Sequence, residues 1–339
     1  MKKLLTIFTL SILLLSACST NTNQSSADYN IGICNYVDDA SLNQICDNIL
    51  SRLDELSKQN NISININYDN ANADANLMSQ IINNFIVDDV DLMVGIATPV
   101  AMNMQALTQD NQIPVIFAAV SDPVGSQLVD SLQKPGANLT GTSDYLDTQA
   151  IMNLIFALNP DIKKIGLLYD LSQDSSITSI NEAKTILNNQ GVEIIEKTGS
   201  NVEEIRLAVQ SLINEKVEAI FTPSDNTVMI SQLSIYEDLL QAGIPHFTGA
   251  DSFALNGAFV GYGVDYANLG KETADMIFDI LVNKKDVSTY PVKTFENGVV
   301  TINNEAIAQL HLDLDTLNTI FKPYCTKIQT IDTAQEFGE

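Results

Sequence analysis

The sequence predicts an α/β protein of two lobes, each a mainly parallel sheet flanked by helices. Three observations carry this. From Tyr29 onward short apolar runs alternate with stretches of helical periodicity, the alternation restarts after Thr148, and one strand–turn–helix–strand pattern occurs in both halves.

Asn30 to Tyr36 reads as the first strand. Ser41 is placed to cap the helix that follows, where Leu42, Ile45, Ile49, Leu53 and Leu56 recur at helical spacing. Ile62, Ile64, Ile66 and Tyr68 alternate as in a strand, and Leu77, Ile81 and Phe85 mark a second helix. Leu92 to Ile96 is a third strand, after which Pro99 suits the first turn of a helix. Ile113 to Ala119 is the fourth, with Pro114 tolerable near its start. In the second half Ile151, Leu154, Ile155 and Leu158 form a helix, Lys164 to Tyr169 a strand, and Ile177, Ile180 and Leu187 another helix. Val192 to Lys197, Ala219 to Thr222 and Ile244 to Thr248 supply further strands. The internal echo lies in Ile96-Ala97-Thr98-Pro99 and Phe221-Thr222-Pro223. Each is followed by a helix and by an Ile-Pro strand start, Ile113-Pro114 and Ile244-Pro245.

The amino terminus has its own logic. Met1-Lys2-Lys3 is basic, Leu4 to Leu15 is almost wholly apolar, and small residues lead into Cys18. That run is too short and wrongly flanked to span a membrane, and it reads as a secretory signal over residues 1–17. Leu15-Ser16-Ala17-Cys18 resembles a lipobox, whose cysteine becomes the acylated, palmitate-bearing first residue of the mature chain. Residues 18–28 then read as a lipidated flexible tether, since 19–28 lack apolar side chains to offset chain entropy. The expected location is the extracytoplasmic face of the cell membrane, held by lipid.

The 339 residues suffice for two domains with sizeable cores. With 17 Lys and Arg against 42 Asp and Glu, the net charge of −25 repels nucleic acid and anionic headgroups, so neither is an expected partner. Cys34, Cys46 and Cys325 remain after Cys18; a 34–46 disulfide and a pair of buried thiols are both open. His246 and His311 have no ligand-spaced partners, so no metal is expected.

In open parallel sheets a ligand sits beyond the carboxyl ends of the strands. The polar residues there include Asp38, Asp39, Thr98, Ser121, Asp122, Asp170, Ser172, Thr222 to Asn226 and Asp251, with few Lys or Arg. Such a rim suits a small zwitterion: an ammonium group beside Asp225 or Asp122, and a carboxylate on hydroxyls and on backbone N–H groups at Thr98-Pro99-Val100. Taken singly, Asp, Ser and Thr in these places serve as helix caps, Asp225 and Ser121 especially. No nucleophile elbow, phosphate loop or dinucleotide fingerprint is present, and no histidine stands near a nucleophile. The chain reads as a binder that needs no cofactor, not as an enzyme.

Ile113-Pro-Val-Ile-Phe-Ala-Ala-Val-Ser-Asp-Pro-Val-Gly125 resembles a signature of substrate-binding lipoproteins of tryptophan/tyrosine-type ABC transporters. Asn138-Leu-Thr-Gly-Thr-Ser-Asp144, Thr222-Pro-Ser-Asp-Asn-Thr227 and Gly261-Tyr-Gly-Val-Asp-Tyr266 with Leu269-Gly270 are similar to its other recurrent segments, in the same order along nearly the whole mature chain. The resemblance implies a type I periplasmic-binding-protein fold, two lobes joined by three crossings near 143–147, 262–266 and 287–293. Lobe 1 would hold residues 29–145 and 265–288, lobe 2 residues 146–264 and 289–323, with 324–339 a tail.

It also implies contacts from Ala97, Thr98, Asp122, Ser172, Ser175, Ser176, Asp225, Asn226 and Asp265. The chain departs from the family at Asp38-Asp39-Ala40, where Glu-His-Pro is usual, and at Tyr169-Asp-Leu-Ser-Gln-Asp-Ser-Ser176, where an amide is usual at 175. Asp38 and Asp39 thus join the candidate contacts, with donors to a carboxylate altered. An aromatic ligand would want a stacking ring, for which Tyr36, Phe117, Tyr169 and Phe253 are candidates. The function implied is that of a monomeric solute-binding lipoprotein of an ABC importer, handing an amino acid, aromatic first, to a membrane permease. The alternative is a lipoprotein that signals ligand occupancy to a membrane receptor.

Overall fold

The computed structural model describes residues 27–296 and 298–333. The signal, Cys18 and the tether as far as residue 26 lie outside these, as do residues 334–339.

Two sheets form. The first contains β1 (Tyr29–Asn35), β2 (Ile64–Asn70), β3 (Leu92–Ile96), β4 (Val115–Ala118), β5 (Leu139–Ser143) and β11 (Lys293–Thr294), in the order β11-β5-β4-β3-β1-β2, every pair parallel. The second contains β6 (Lys164–Tyr169), β7 (Glu193–Thr198), β8 (Ala219–Thr222), β9 (His246–Thr248), β10 (Val260–Gly263), β12 (Val299–Asn303) and β13 (Lys327–Ile331), in the order β13-β12-β10-β9-β8-β6-β7. There β10 and β12 run antiparallel and the other pairs are parallel. Helices α1 (Ala40–Asn60), α2 (Ala75–Val87) and α3 (Thr98–Leu107) belong to the first sheet. The second sheet has α4 (Thr148–Leu158), α5 (Asp174–Gln190), α6 (Val202–Asn214), α7 (Asn226–Ser231), α8 (Tyr236–Gln241) and α9 (Asp251–Leu255). Helix α10 (Tyr266–Leu281) returns to pack on α1, and α11 (Asn304–Gln309) and α12 (Leu314–Phe321) complete the second lobe.

The strand residues sort by the two-residue period of the pleat. Ile31 and Ile33 pack with Ile45, Ile49 and Leu53 of α1, while Cys34 joins Phe85 and Met104 in a separate cluster with α2 and α3. Cys34 and Cys46 therefore lie on opposite faces of the first sheet, and both are free thiols that burial pushes up to about 12. That settles the question left open by the sequence: the sheet stands between them. Helix α10 approaches α1 closely because Gly270 has no side chain; a Cβ there would stand 2.5 Å from the Ile45 carbonyl oxygen.

The chain passes between lobes after β5, after β10 and between Thr294 and Val299. Four expectations need correction. Lys293 and Thr294 pair with Thr142 and Ser143, so residues 289–294 extend to the first sheet and not the second. Residues 327–331 of the supposed tail form the edge strand of the second sheet, in register with Val299 to Asn303. The tether ends before Asp28, which accepts hydrogen bonds from the Ser63 amide (2.7 Å) and hydroxyl (2.9 Å). Ser41 is not the cap of α1: Asp39 is, taking the N–H groups of Ser41 (2.9 Å) and Leu42 (3.2 Å) on one oxygen.

Candidate functional site

The carboxyl ends of both sheets face one another across a cavity of about 30 Å³, lined by residues of both lobes. That holds little more than a water molecule, so the lobes stand closed. Side-chain hydrogen bonds bridge them, and the Ser252 amide also donates to the Ser41 hydroxyl at 3.1 Å. The Ser41 hydroxyl donates to Asp251 at 2.5 Å, and the Thr178 hydroxyl donates to Asp122 at 2.6 Å.

The first lobe contributes the amino end of α3. Its capping position is Ala97, which has φ 78 and ψ 155 and offers no side-chain acceptor. That backbone region is populated almost only by glycine and costs about 1–3 kcal/mol elsewhere. The first amides of α3 are left without a side-chain cap, and the buried Thr98 hydroxyl beside them has no partner among the described residues. Thr98 lines the cavity, and its hydroxyl at this uncapped helix start suits an anion. Ser121 and Ser175 line the same space, donating to Asp144 (3.0 Å) and to the Ser224 carbonyl (3.1 Å).

Carboxylates form the opposing character. Asp39 and Asp144 line the cavity, and Asp251 is joined to it through Ser41. Burial pushes Asp39 and Asp144 up to about 6 and Asp251 up to about 7, against the lowering effect of their hydrogen bonds. No Lys, Arg or His side chain lines the cavity among the described residues. Tyr266 also faces it, its phenol held well above the ordinary range by burial and then by Asp144, Asp251 and Asp39. Tyr266 is thus a neutral hydroxyl amid acids, and with Phe253, Met229 and Leu42 it contributes apolar surface to the cavity.

The structure divides the expected contacts. Asp39, Ala97, Thr98, Ser175 and Asn226 line the cavity, Asn226 with its amide donated to Gln173 at 2.9 Å. The others do not, each for a local reason. Asp38 is exposed and accepts from Asn43 (2.6 Å). Asp122 is engaged by Thr178 and by the Gly125 amide (2.8 Å), and Ser172 folds onto Asp170 (2.8 Å). Asp265 is exposed and caps α10 through the Asn268 amide (2.9 Å). Asp225, the expected ammonium partner, is fully buried. It takes the Val228 amide at 2.9 Å as cap of α7, the Asp170 amide at 2.8 Å and the Ser176 hydroxyl at 2.6 Å. Ser176 is thereby turned from the cavity as well.

Of the four aromatic candidates only Phe253 lines the site. Phe117 lies in the first-lobe core, Tyr169 donates to Glu196, and Tyr36 is half-buried outside the lining. Sequence reasoning missed the cavity roles of Ser41, Asp144 and Tyr266. The last two lie inside segments it had singled out, Tyr266 one residue beyond the cap. His246 is buried, pulled down to about 3 and hydrogen-bonded to Thr222 at 2.8 Å, so it is neutral. No group of three or more potential metal ligands occurs among the described residues.

Two α/β lobes closing on a polar cavity at the strand ends define a solute-binding protein of the clamshell kind. The chain belongs to the family of ABC transporter substrate binding proteins, whose model matches residues 30–319. It is 29% identical over 324 residues to a tyrosine-binding protein of Clostridioides difficile, covering 92% of this chain and 93% of that one. Among solved structures it is similar to an ABC domain in complex with L-Trp from Streptococcus pneumonia: 29% identity, TM-score 0.80, covering 88% of this chain and 99% of that one. A ligand-free, open substrate-binding protein from Clostridium difficile gives 28% identity and TM-score 0.67, covering 90% and 99%. At nearly equal identity the likeness is greater to the ligand-bound form, in keeping with closed lobes. The expected fold is thereby borne out.

Proposed function

We propose that the chain is the extracytoplasmic, lipid-anchored receptor of an ABC importer, and that it captures an aromatic amino acid between its lobes. One observation supports this most: the cavity combines the unpartnered Thr98 hydroxyl, at the uncapped start of α3, with buried carboxylates, and no basic side chain lines it among the described residues. An α-carboxylate satisfies the first group, an α-ammonium the second, and Phe253, Met229 and Tyr266 receive the ring. The tyrosine-binding and L-Trp-bound relatives support the same class of solute. The lobes must part to admit it, and closure around it presents a shape that a permease reads. The apolar run ending at Cys18 supports a lipid anchor.

Calorimetry with L-tyrosine and L-tryptophan, beside tyramine and 3-(4-hydroxyphenyl)propionate, tests this reading. The amino acids are expected to bind at micromolar Kd or tighter, with each analogue at least 100-fold weaker, about 2.7 kcal/mol. Equal binding of tyramine would remove the carboxylate subsite, and absence of binding by all natural amino acids would overturn the proposal. Cys18→Ala is expected to release the protein from membranes on fractionation; retention would sink the anchor.

A further inference from the structure

A second cavity, of about 420 Å³, opens where the chain crosses between lobes. Gln44 and Asn48 reach it from α1, Asp265 from the crossing after β10, Lys327 and Gln329 from β13, and the nine-tenths-buried Asp251 from α9. It shares Tyr266 with the interlobe cavity and touches it again through Asp251, which accepts from Ser41. Its size is within the range of small-molecule sites, about 300–1,000 Å³.

Lys327, exposed and in no ion pair among the described residues, shares this cavity with two carboxylates. An ammonium group on one wall, carboxylates on another and side-chain amides between them match a small zwitterion. Both lobes and a crossing segment build the walls, so the cavity keeps this shape only at the present lobe angle.

We infer that this cavity is a second small-molecule site, taking a small zwitterion with its carboxylate on Lys327 and its ammonium facing Asp265 and Asp251, and that occupancy favours the closed lobes. The inference goes beyond the proposed function and does not rest on it. A solute that fits one lobe angle shifts the population toward it.

Glycine is a suitable probe, with the full isotope-labelled chain observed by NMR. Saturable shifts are expected at the amides of Gln44, Asn48, Lys327 and Gln329, with the apparent affinity at least tenfold weaker in Lys327→Gln. The radius of gyration from small-angle scattering should fall as glycine saturates. Absence of saturable shifts at these amides, or shifts unchanged in Lys327→Gln, would overturn the site. Saturation with an unchanged radius would overturn the coupling. Shifts confined to Thr98 and Ser121 would place glycine in the interlobe cavity and overturn this inference while leaving the proposed function standing. Failure of L-tyrosine and L-tryptophan to bind would strike the proposed function alone.

Discussion

The two Thr-Pro turns look alike in sequence and do opposite things. In the first lobe Thr98-Pro99 opens α3 directly, the capping position is an alanine, and the Thr98 hydroxyl stays buried without a partner. In the second lobe Thr222-Pro223 is followed by Ser224 and Asp225, and Asp225 closes the amino end of α7 with its own carboxylate. Thr222 meets His246 instead of the cavity. One turn keeps its hydrogen-bonding capacity for a ligand, and the other uses it internally. A repeated motif is therefore evidence of repeated architecture but not of repeated function: what decides is whether a cap is present.

The contrast can be broken most forcefully at Asp225. Asp225→Ala leaves the amides of Asp170 and Val228 and the Ser176 hydroxyl without their acceptor, so urea unfolding should show a loss of about 2–4 kcal/mol. Unchanged stability with lost binding would return Asp225 to the ligand site. Asp144→Asn should act the other way. It removes a buried carboxylate that no cation offsets, so thermal melting of the ligand-free protein at pH 7.5 should rise, while amino-acid affinity falls at least tenfold. Thr98→Val is the mildest: affinity falls about three- to tenfold and stability holds or rises slightly, because an unpartnered buried hydroxyl is removed.

The pH dependence follows from the buried acids. Burial raises Asp39, Asp144 and Asp225 to about 6 and Asp251 to about 7, whereas unfolded carboxylates titrate near pH 4. Between about pH 4 and 7 the native state holds protons that the unfolded chain has released, so ligand-free stability falls as pH rises through this window. Ammonium binding favours the ionised carboxylates, so affinity should climb over its upper part. Melting and calorimetric titrations at pH 5, 6 and 7.5 check both slopes, and a stability that rises from pH 5 to 7.5 would contradict the assignment.

Much of the fold was legible because its central strands are apolar. β3, β6 and β8 begin and end where the apolar runs do. β5 and β10 escaped for a physical reason. Leu139–Ser143 is buried but reads as polar, its hydroxyls satisfied by the Tyr290 carbonyl (2.7 Å) and by Thr273 (2.8 Å), and Val260–Gly263 carries two glycines. The site was legible as a rim of polar residues at strand ends. Which acid faces the cavity was not, because Asp144, Asp225 and Asp265 differ only in the amides that happen to lie beside them. Capping turns Asp265 outward and brings Tyr266 inward, a one-residue distinction that no pattern in the sequence marks.

Asp39 and Asp144 await an ammonium group in the interlobe cavity. Calorimetry of amino-acid binding at pH 6.5, repeated in buffers of different ionisation heat, tests it most directly by counting protons. A net release of protons on binding is predicted, as the raised carboxylates ionise against the ligand. Proton uptake, or none exchanged, would mean that these carboxylates do not meet the ligand's ammonium group.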